Sequence, residues 1–304
     1  MAKILVTGAS GFVGRHLVPV LEADGHHVVE AGRTRRHQAS NHVQISDVGP
    51  GTDWSGKLKD IDTVVHLAGL AHLNAPDDAF FAVNDLGTRS LVDACREAGV
   101  RSFILLSSIA ARKAEYSPSG ASAYARSKLA GERHVLDAMG KGGLTGIILR
   151  PPMIYGHDAP GNWRRLQRFA AGGMPLPFGS VHNRRSHCSI GNLCSAIVTA
   201  VKAGVQSSGV YEIADEDQVS LAETLRWLRE GMGKQARLLP FPVAVIRTLL
   251  GVLGQKKLIE SLLDDLKLDP SPFMRTFGWT HPEKAEEAIR KSGRLFVKSS
   301  ESVA

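Results

Sequence analysis

The chain has 304 residues, a net charge of +7 and 43% hydrophobic residues, enough for a large core in one domain, or in a domain with a smaller lobe. The positive charge is dispersed, its densest block being Arg33–Arg36, and no basic stripe or recognisable module points to nucleic acid. Cys95, Cys188 and Cys194 are odd in number and lack C-x-x-C spacing, which predicts free thiols; with no cleavable apolar leader, the expected location is the cytoplasm.

In chain order, Lys3–Val6, His27–Ala31, Asp62–His66, Ser102–Leu106 and Gly146–Leu149 read as buried strands. Helical patterns lie between several of them, at Phe12–Asp24, Ala79–Ala98 and Ser122–Met139. Strands alternating with helices predict an α/β fold with a parallel sheet covered on both faces. After Pro151 strand candidates become sparse, Val210–Ile213 being the best, and helices are expected at 191–203, 220–231 and 243–253. The expected organisation is a nucleotide-binding domain over 1–150 and a smaller, mainly helical lobe over 151–304, with one segment able to return to the sheet. Phe241 to Leu253 is too short to span a bilayer and carries Arg247, so a core or lobe helix is favoured over a membrane-surface helix.

The first strand leads into "TGASGFVG", with Gly8, Gly11 and Gly14 three apart. Glycines allow a tight turn and close backbone approach, and the following helix offers N–H groups and a positive dipole end to a pyrophosphate. An NAD site wants an acid at the end of the second strand to hold the ribose 2′-OH. Here Gly32 stands in that place, followed by Arg33, with Arg35 and Arg36 close by. Glu30 lies two positions too early. A guanidinium suits a 2′-phosphate, so NADP(H) is the expected cofactor, with NAD(H) as the alternative.

The strand "FILLSSIA" places Ser107 and Ser108 at its carboxyl end, where open α/β sheets bind ligands. "SAYARSK" then sets Tyr124 four residues ahead of Lys128, on one helix face. The ammonium would stabilise a phenolate and lower the tyrosine pKa from about 10 toward working pH. Tyr124 as acid/base, Lys128 as tuner and ribose ligand, and Ser108 as positioning donor fit hydride transfer at a carbonyl or alcohol carbon. None of the histidines shows metal-ligand spacing with a Cys or acid, so no metal is expected, and His66 reads as a hydrogen-bonded core residue.

With these motifs, "HLAG" at 66–69, "VNDLGT" at 83–88, "SSIA" at 107–110, "LRPPMIYG" at 149–156 and "FGW" at 277–279, the chain resembles the extended short-chain dehydrogenase/reductases that act on nucleotide sugars. The resemblance covers nearly the full length. It implies a Rossmann-type doubly wound sheet with a C-terminal nucleotide-sugar lobe. It assigns the cofactor turn to Gly8, Ser10, Gly11, Phe12, Val13 and Gly14. Asp47 and Val48 would lie at the adenine, Leu67, Ala68 and Gly69 along the cofactor, and Asn84 at the nicotinamide side. His72 would contact sugar. A homodimer through helices near 79–98 and 122–139 is also implied.

Departures narrow the reaction. Dehydratases of this family carry an Asp-Glu pair after the active-site hydroxyl residue, where this chain has Ile109 and Ala110, which cannot move a proton. Met153 stands where epimerases often place Asn. The stretch 161–193 resembles bacterial sugar-nucleotide C4-ketoreductases of surface-polysaccharide pathways, which are thought to reduce UDP-4-keto-6-deoxy-N-acetylhexosamines. By that resemblance Asn162 and Trp163 line the nucleotide-diphosphate path and Arg185 binds a phosphate. The expected activity is NAD(P)H-dependent 4-ketoreduction of a UDP-sugar. The alternatives are an NAD-dependent UDP-hexose 4-epimerase and a non-catalytic dinucleotide-binding regulatory protein.

Overall fold

Seven parallel strands form the main sheet of the computed structural model, which describes residues 1–71, 75–203 and 207–301. They are β1 (Lys3–Thr7), β2 (His27–Gly32), β3 (Asn41–Gln44), β4 (Thr63–His66), β5 (Ser102–Leu106), β6 (Thr145–Arg150) and β9 (Gly209–Glu212), in the order β3-β2-β1-β4-β5-β6-β9. This is a doubly wound Rossmann-type sheet, extended by one strand, whose order reverses between β1 and β4 and opens a crevice at their carboxyl ends. β3 was not foreseen: "NHVQ" is half-exposed and polar, so an edge strand of this kind shows no apolar run.

The strands alternate faces. Leu5, Val29, Val64 and Phe103 stand in register and pack in one core with Leu91, Val92 and Cys95 of α3 (Thr88–Glu97) and Val135 and Ala138 of α5 (Ala123–Gly140). Ile4, Val6, Val28, Val65 and Ile104 take the other face by the same alternation and are equally buried. α1 (Phe12–Ala23) buries Leu17, Val18 and Leu21. The three cysteines are free thiols and buried.

By contacts the chain divides into two compact units. The first comprises Met1–Pro152 with Cys194–Ile213 and Pro270–Thr280, so the second half of α7 (Ile190–Lys202), β9 and α11 (Ser271–Phe277) belong to the sheet-bearing unit. The helix expected over 79–98 is instead three pieces: α2 (Asp77–Phe81), a π-helical turn (Ala82–Gly87) and α3. α4 (Ile109–Tyr116) is a further helix, short and half-exposed, that periodicity did not reveal.

The second unit comprises Met153–Leu193, Ala214–Asp269 and His281–Ala304. A short parallel pair, β7 (Ile154–Tyr155) with β8 (Cys188–Ser189), accompanies α6 (Asn162–Ala171), α8 (Leu221–Gly231), α9 (Val243–Val252), α10 (Lys256–Leu262) and α12 (Ala285–Glu301). A capping box between Ser220 and Glu223 starts α8. α8 and α12 touch backbone to backbone, since a Cβ at Gly231 would collide with the Arg290 carbonyl and one at Gly293 with that of Leu228. The buried Arg229 donates to the carbonyls of Ala170 (3.1 Å), Gly172 (3.0 Å), Met174 (2.7 Å) and Ala236 (2.7 Å), closing the C-terminal end of α6. Among the described residues, no helix is long and apolar enough to cross a membrane.

Candidate active site

Sterics dictate the β1–α1 turn. Gly8 holds a φ of +70°, and a Cβ there would stand 2.7 Å from the Ala68 nitrogen. A Cβ at Gly14 would collide with the Gly8 carbonyl and Ala9. α1 starts at Gly11 with no side-chain cap and no acid in its first turn, so its N-terminal N–H groups keep their affinity for an anion. That turn fits a dinucleotide pyrophosphate. Ser10 is exposed and Phe12 half-buried beside it, whereas the Val13 side chain is buried, leaving only its backbone for a ligand.

One directed chain of hydrogen bonds ties this turn to the rest of the crevice. The Ala68 N–H donates to Thr7 Oγ1 (3.3 Å), and Thr7 pairs with His66 Nδ1 (2.7 Å). His66 Nε2 pairs with Thr88 Oγ1 (3.1 Å), which donates to the Asn84 carbonyl (2.8 Å). Because each hydroxyl proton is used once, the pattern assigns the proton of His66 to Nε2. Burial first, and then the charge of Lys128, pull the His66 pKa down to about 3, so the ring stays neutral. Leu67, Ala68 and Gly69 leave β4 under this control.

Asn84 sits inside the π-helical turn and is buried. Its Oδ1 accepts from Leu70 N (2.9 Å) and its Nδ2 donates to Leu70 O (3.0 Å) and Ser127 Oγ (3.1 Å). The amide expected at the nicotinamide side therefore clamps the loop after β4 to α5. Gly131 makes room for the turn, since a Cβ there would collide with the Asn84 carbonyl. A Cβ at Gly69 would lie 2.8 Å from Asn84 Oδ1 and 3.6 Å from Lys128 Nζ, so these three predicted residues do meet.

Ser108 caps α4, its Oγ accepting the Ala110 N–H at 3.2 Å. That bond uses a lone pair and leaves the hydroxyl proton free to point outward. Ser108 and Tyr124 share a side-chain hydrogen bond, and the edge of Phe80 packs on the Tyr124 ring with centroids 6.2 Å apart. Lys128, one turn on and buried, donates to the Leu106 carbonyl at 2.7 Å. The protonation pattern differs from the expectation. Burial raises the Tyr124 pKa, with only Ser108 opposing it, and burial pushes Lys128 down to about 8 against the pull of Glu132. Desolvation wins over the bond from Ser108, and the resting tyrosine is a neutral phenol.

Behind Lys128 lies a buried network that sequence reasoning missed. Arg150 grips Glu132 with Nε (3.0 Å to Oε1) and Nη2 (2.6 Å to Oε2), and reaches Glu115 with Nη1 (3.0 Å). Ser107 donates to Glu132. Burial works against the charge of Arg150, but Glu132 and Glu115 outweigh it and hold its pKa raised. The signal was present: Glu132 stands four residues past Lys128 and eight past Tyr124, on the same helical stripe.

At the end of β2, Glu30 is buried and paired with Arg36 (2.6 Å from Nε), and Arg35 is held by the carbonyls of Ala39 and Ser40. Arg33 stays 74% exposed, 3.8 Å from an equally open Asp47 carboxylate. Val48 is a core residue, its N–H taken by Asp47 Oδ1 (2.8 Å).

One expectation for the second unit needs correction. Trp163 does not line a ligand path: it is wholly buried, bonded through Nε1 to Ser292 (3.0 Å), with its ring centroid 4.6 Å from that of Tyr155. The period of α6 turns 163, 167 and 170 inward and leaves Asn162 exposed. Arg185 directs Nη1 to the carbonyls of Glu260 (2.9 Å) and Asp264, at the C-terminal end of α10, where a cation offsets the helix dipole. That nitrogen is committed to the fold. His72 lies outside the described residues.

Residues 4–214 match the NAD dependent epimerase/dehydratase family. The chain belongs to that family. It is 29% identical to the UDP-glucose 4-epimerase of Vibrio cholerae, over 98% of this chain and 96% of that protein. It is 34% identical to the ceramide reductase of Caulobacter vibrioides, over 79% of this chain and 73% of that one. Among solved structures, a UDP-N-acetylglucosamine 4-epimerase from Bacillus cereus superposes with a TM-score of 0.78 at 22% identity, covering 97% of this chain and 99% of that one, which shows the shared fold. Within the family, an epimerase/dehydratase chain with Ile109 and Ala110 at the start of α4 has no proton-moving pair after Ser108.

Proposed function

We propose that this protein is a nucleotide-sugar 4-ketoreductase, taking NADP(H) in preference to NAD(H) and reducing the C4 carbonyl of a UDP-4-keto-6-deoxy-N-acetylhexosamine. The observation that carries the reading is the hydrogen-bonded pair Ser108–Tyr124 with Lys128 buried one turn away, all at the carboxyl end of β5. A bound nicotinamide supplies the hydride. Tyr124, held neutral by burial, is ready to donate its proton to the carbonyl oxygen as negative charge develops there. Ser108, with its N-cap bond occupying a lone pair, orients that oxygen and shares its charge. Lys128, protonated below a pKa of about 8, would hold the cofactor ribose and stabilise the phenolate left behind. The first-turn N–H groups of α1 would hold the pyrophosphate.

The missing acid at Gly32 and the exposed Arg33 favour a cofactor with a 2′-phosphate, and a net reduction consumes reduced cofactor, which suits NADPH. A resting phenol also favours reduction, because oxidation needs the phenolate first. A homodimer through α3 and α5 belongs to the same reading, supported by the exposed Leu136 on α5. A second reading, a UDP-hexose 4-epimerase, is favoured by the likeness to the Vibrio cholerae epimerase along nearly the whole chain. The same residues would then oxidise C4 and reduce it again.

The test is one assay: NADPH or NADH with UDP-4-keto-6-deoxy-N-acetylglucosamine, followed at 340 nm. Fast oxidation of NADPH supports the ketoreductase. Failure to consume either cofactor, in protein that binds both, sinks that substrate and moves the reading to the epimerase.

A further inference from the structure

From Gly231 to Ile259 the sequence holds Lys234, Arg237, Arg247, Lys256 and Lys257 and no acidic residue. α9 lies inside this stretch and is apolar but for Arg247 and Thr248, yet only Ile246 of it is buried. Val245, Leu249 and Val252 repeat at helical spacing and form one exposed stripe, with Val252 83% and Leu249 57% accessible. Leu253, at 69%, extends it at one end, and Leu239 and Phe241 extend it at the other. This is an apolar face in a segment of the second unit whose charged residues are all basic.

We propose that α9 and its basic flanks dock this protein peripherally on an anionic lipid bilayer. Leu249, Val252 and Leu253 would enter the boundary between headgroups and acyl chains, and the exposed Arg237 would meet the lipid charge. Two arguments select the bilayer. Ten residues of helix extend about 15 Å, half of a hydrocarbon core, so α9 lies on a membrane and does not cross it. A second copy of the chain on this face would, in a two-fold contact, set one acid-free basic segment against another. On the C-terminal side Glu260, Asp264 and Asp265 follow, three carboxylates against the five basic residues, so the sign stays positive. Asp264 is paired with Arg247 (2.8 Å), and Asp265 accepts the Arg184 N–H (2.8 Å).

The experiment is co-sedimentation of the full chain with vesicles of one part phosphatidylglycerol to three parts phosphatidylcholine, beside vesicles of phosphatidylcholine alone, at low and high salt. The expected result is binding to the anionic vesicles that exceeds binding to the neutral ones about tenfold and weakens with salt. Replacing Leu249, Val252 and Leu253 together by Ser should remove it, with near-UV circular dichroism and cofactor binding unchanged. Should that triple variant fail to fold, Arg237→Glu decides, with an expected loss of about fivefold or more, since each basic residue near such a surface contributes about 1 kcal/mol. No sedimentation with anionic vesicles overturns the proposal, as does binding that Arg237→Glu and the triple variant leave intact. Loss of a dimer in the triple variant without any vesicle binding would overturn it in favour of a second copy.

Discussion

Arg150 in the sheet-bearing unit and Arg229 in the second unit are both buried, by opposite means. Arg150 is enclosed by carboxylates, Glu132 and Glu115, which hold its pKa above the usual value. Arg229 meets backbone carbonyls alone; burial, helped by Arg237, lowers its pKa. The first arrangement is electrostatic and sits one helical turn from Lys128, whose charge Glu132 supports. The second serves the backbone, answering the open carbonyls where α6 ends. One arginine belongs to the chemistry's surroundings and the other to the fold, and the two can be separated by experiment.

The largest expected effect lies at Tyr124. Tyr124→Phe should lower turnover by about 10²–10⁴-fold with cofactor binding and melting temperature kept, because it removes the proton and little else. Glu132→Gln comes next. It leaves Arg150 buried without its main partner and should cost about 3–5 kcal/mol in denaturant unfolding. It should also move the alkaline limb of the pH–rate profile to lower pH, since Glu132 holds the Lys128 pKa up. Arg229→Met should cost about 3 kcal/mol by stranding several carbonyls and leave that limb in place. If both variants moved the limb equally, the contrast between the two arginines would fail. Gly32→Asp meets only ordinary contacts, with Thr34 O at 3.7 Å and His42 Nε2 at 3.8 Å. It should shift the NADPH:NADH ratio of kcat/KM toward NADH by about tenfold or more, the worth of one charge-assisted bond.

The smallest effect is on pH. Reductive turnover should fall as pH rises through about 8, where Lys128 gives up its proton. The stability contribution of the same group runs the other way. The folded chain releases that proton near 8 and the unfolded chain near about 10.4, so unfolding takes up a proton between them and this contribution rises with pH across the window.

The parts of the molecule legible in the sequence were those written in local spacing. The glycine turn, six of the seven strands of the main sheet and the Tyr124–Lys128 stripe each need only a few adjacent residues to be recognised. The π-helical turn was hidden because Asn84 is stabilised by partners 14 and 43 positions away, Leu70 and Ser127. The Glu132–Arg150 pair was hidden because its members lie on different elements, one on a helix and one at a strand end. Trp163 was misplaced for a related reason. A stretch resembling a nucleotide-binding segment also follows the period of an amphipathic helix, and the period decides which side chains turn inward. The Tyr124 pKa went opposite to expectation because motif spacing carries the charge of Lys128 but not the desolvation of both groups.

The central claim is net reduction at a sugar C4 through Tyr124. Its most direct test uses NADPH carrying deuterium at the transferable C4 position, with UDP-4-keto-6-deoxy-N-acetylglucosamine, and reads the product by mass spectrometry and NMR. The account predicts one deuterium bound at the sugar C4 and one NADPH consumed per product, both abolished in Tyr124→Phe. Interconversion of UDP-hexoses with no label gained and no NADPH consumed would contradict it.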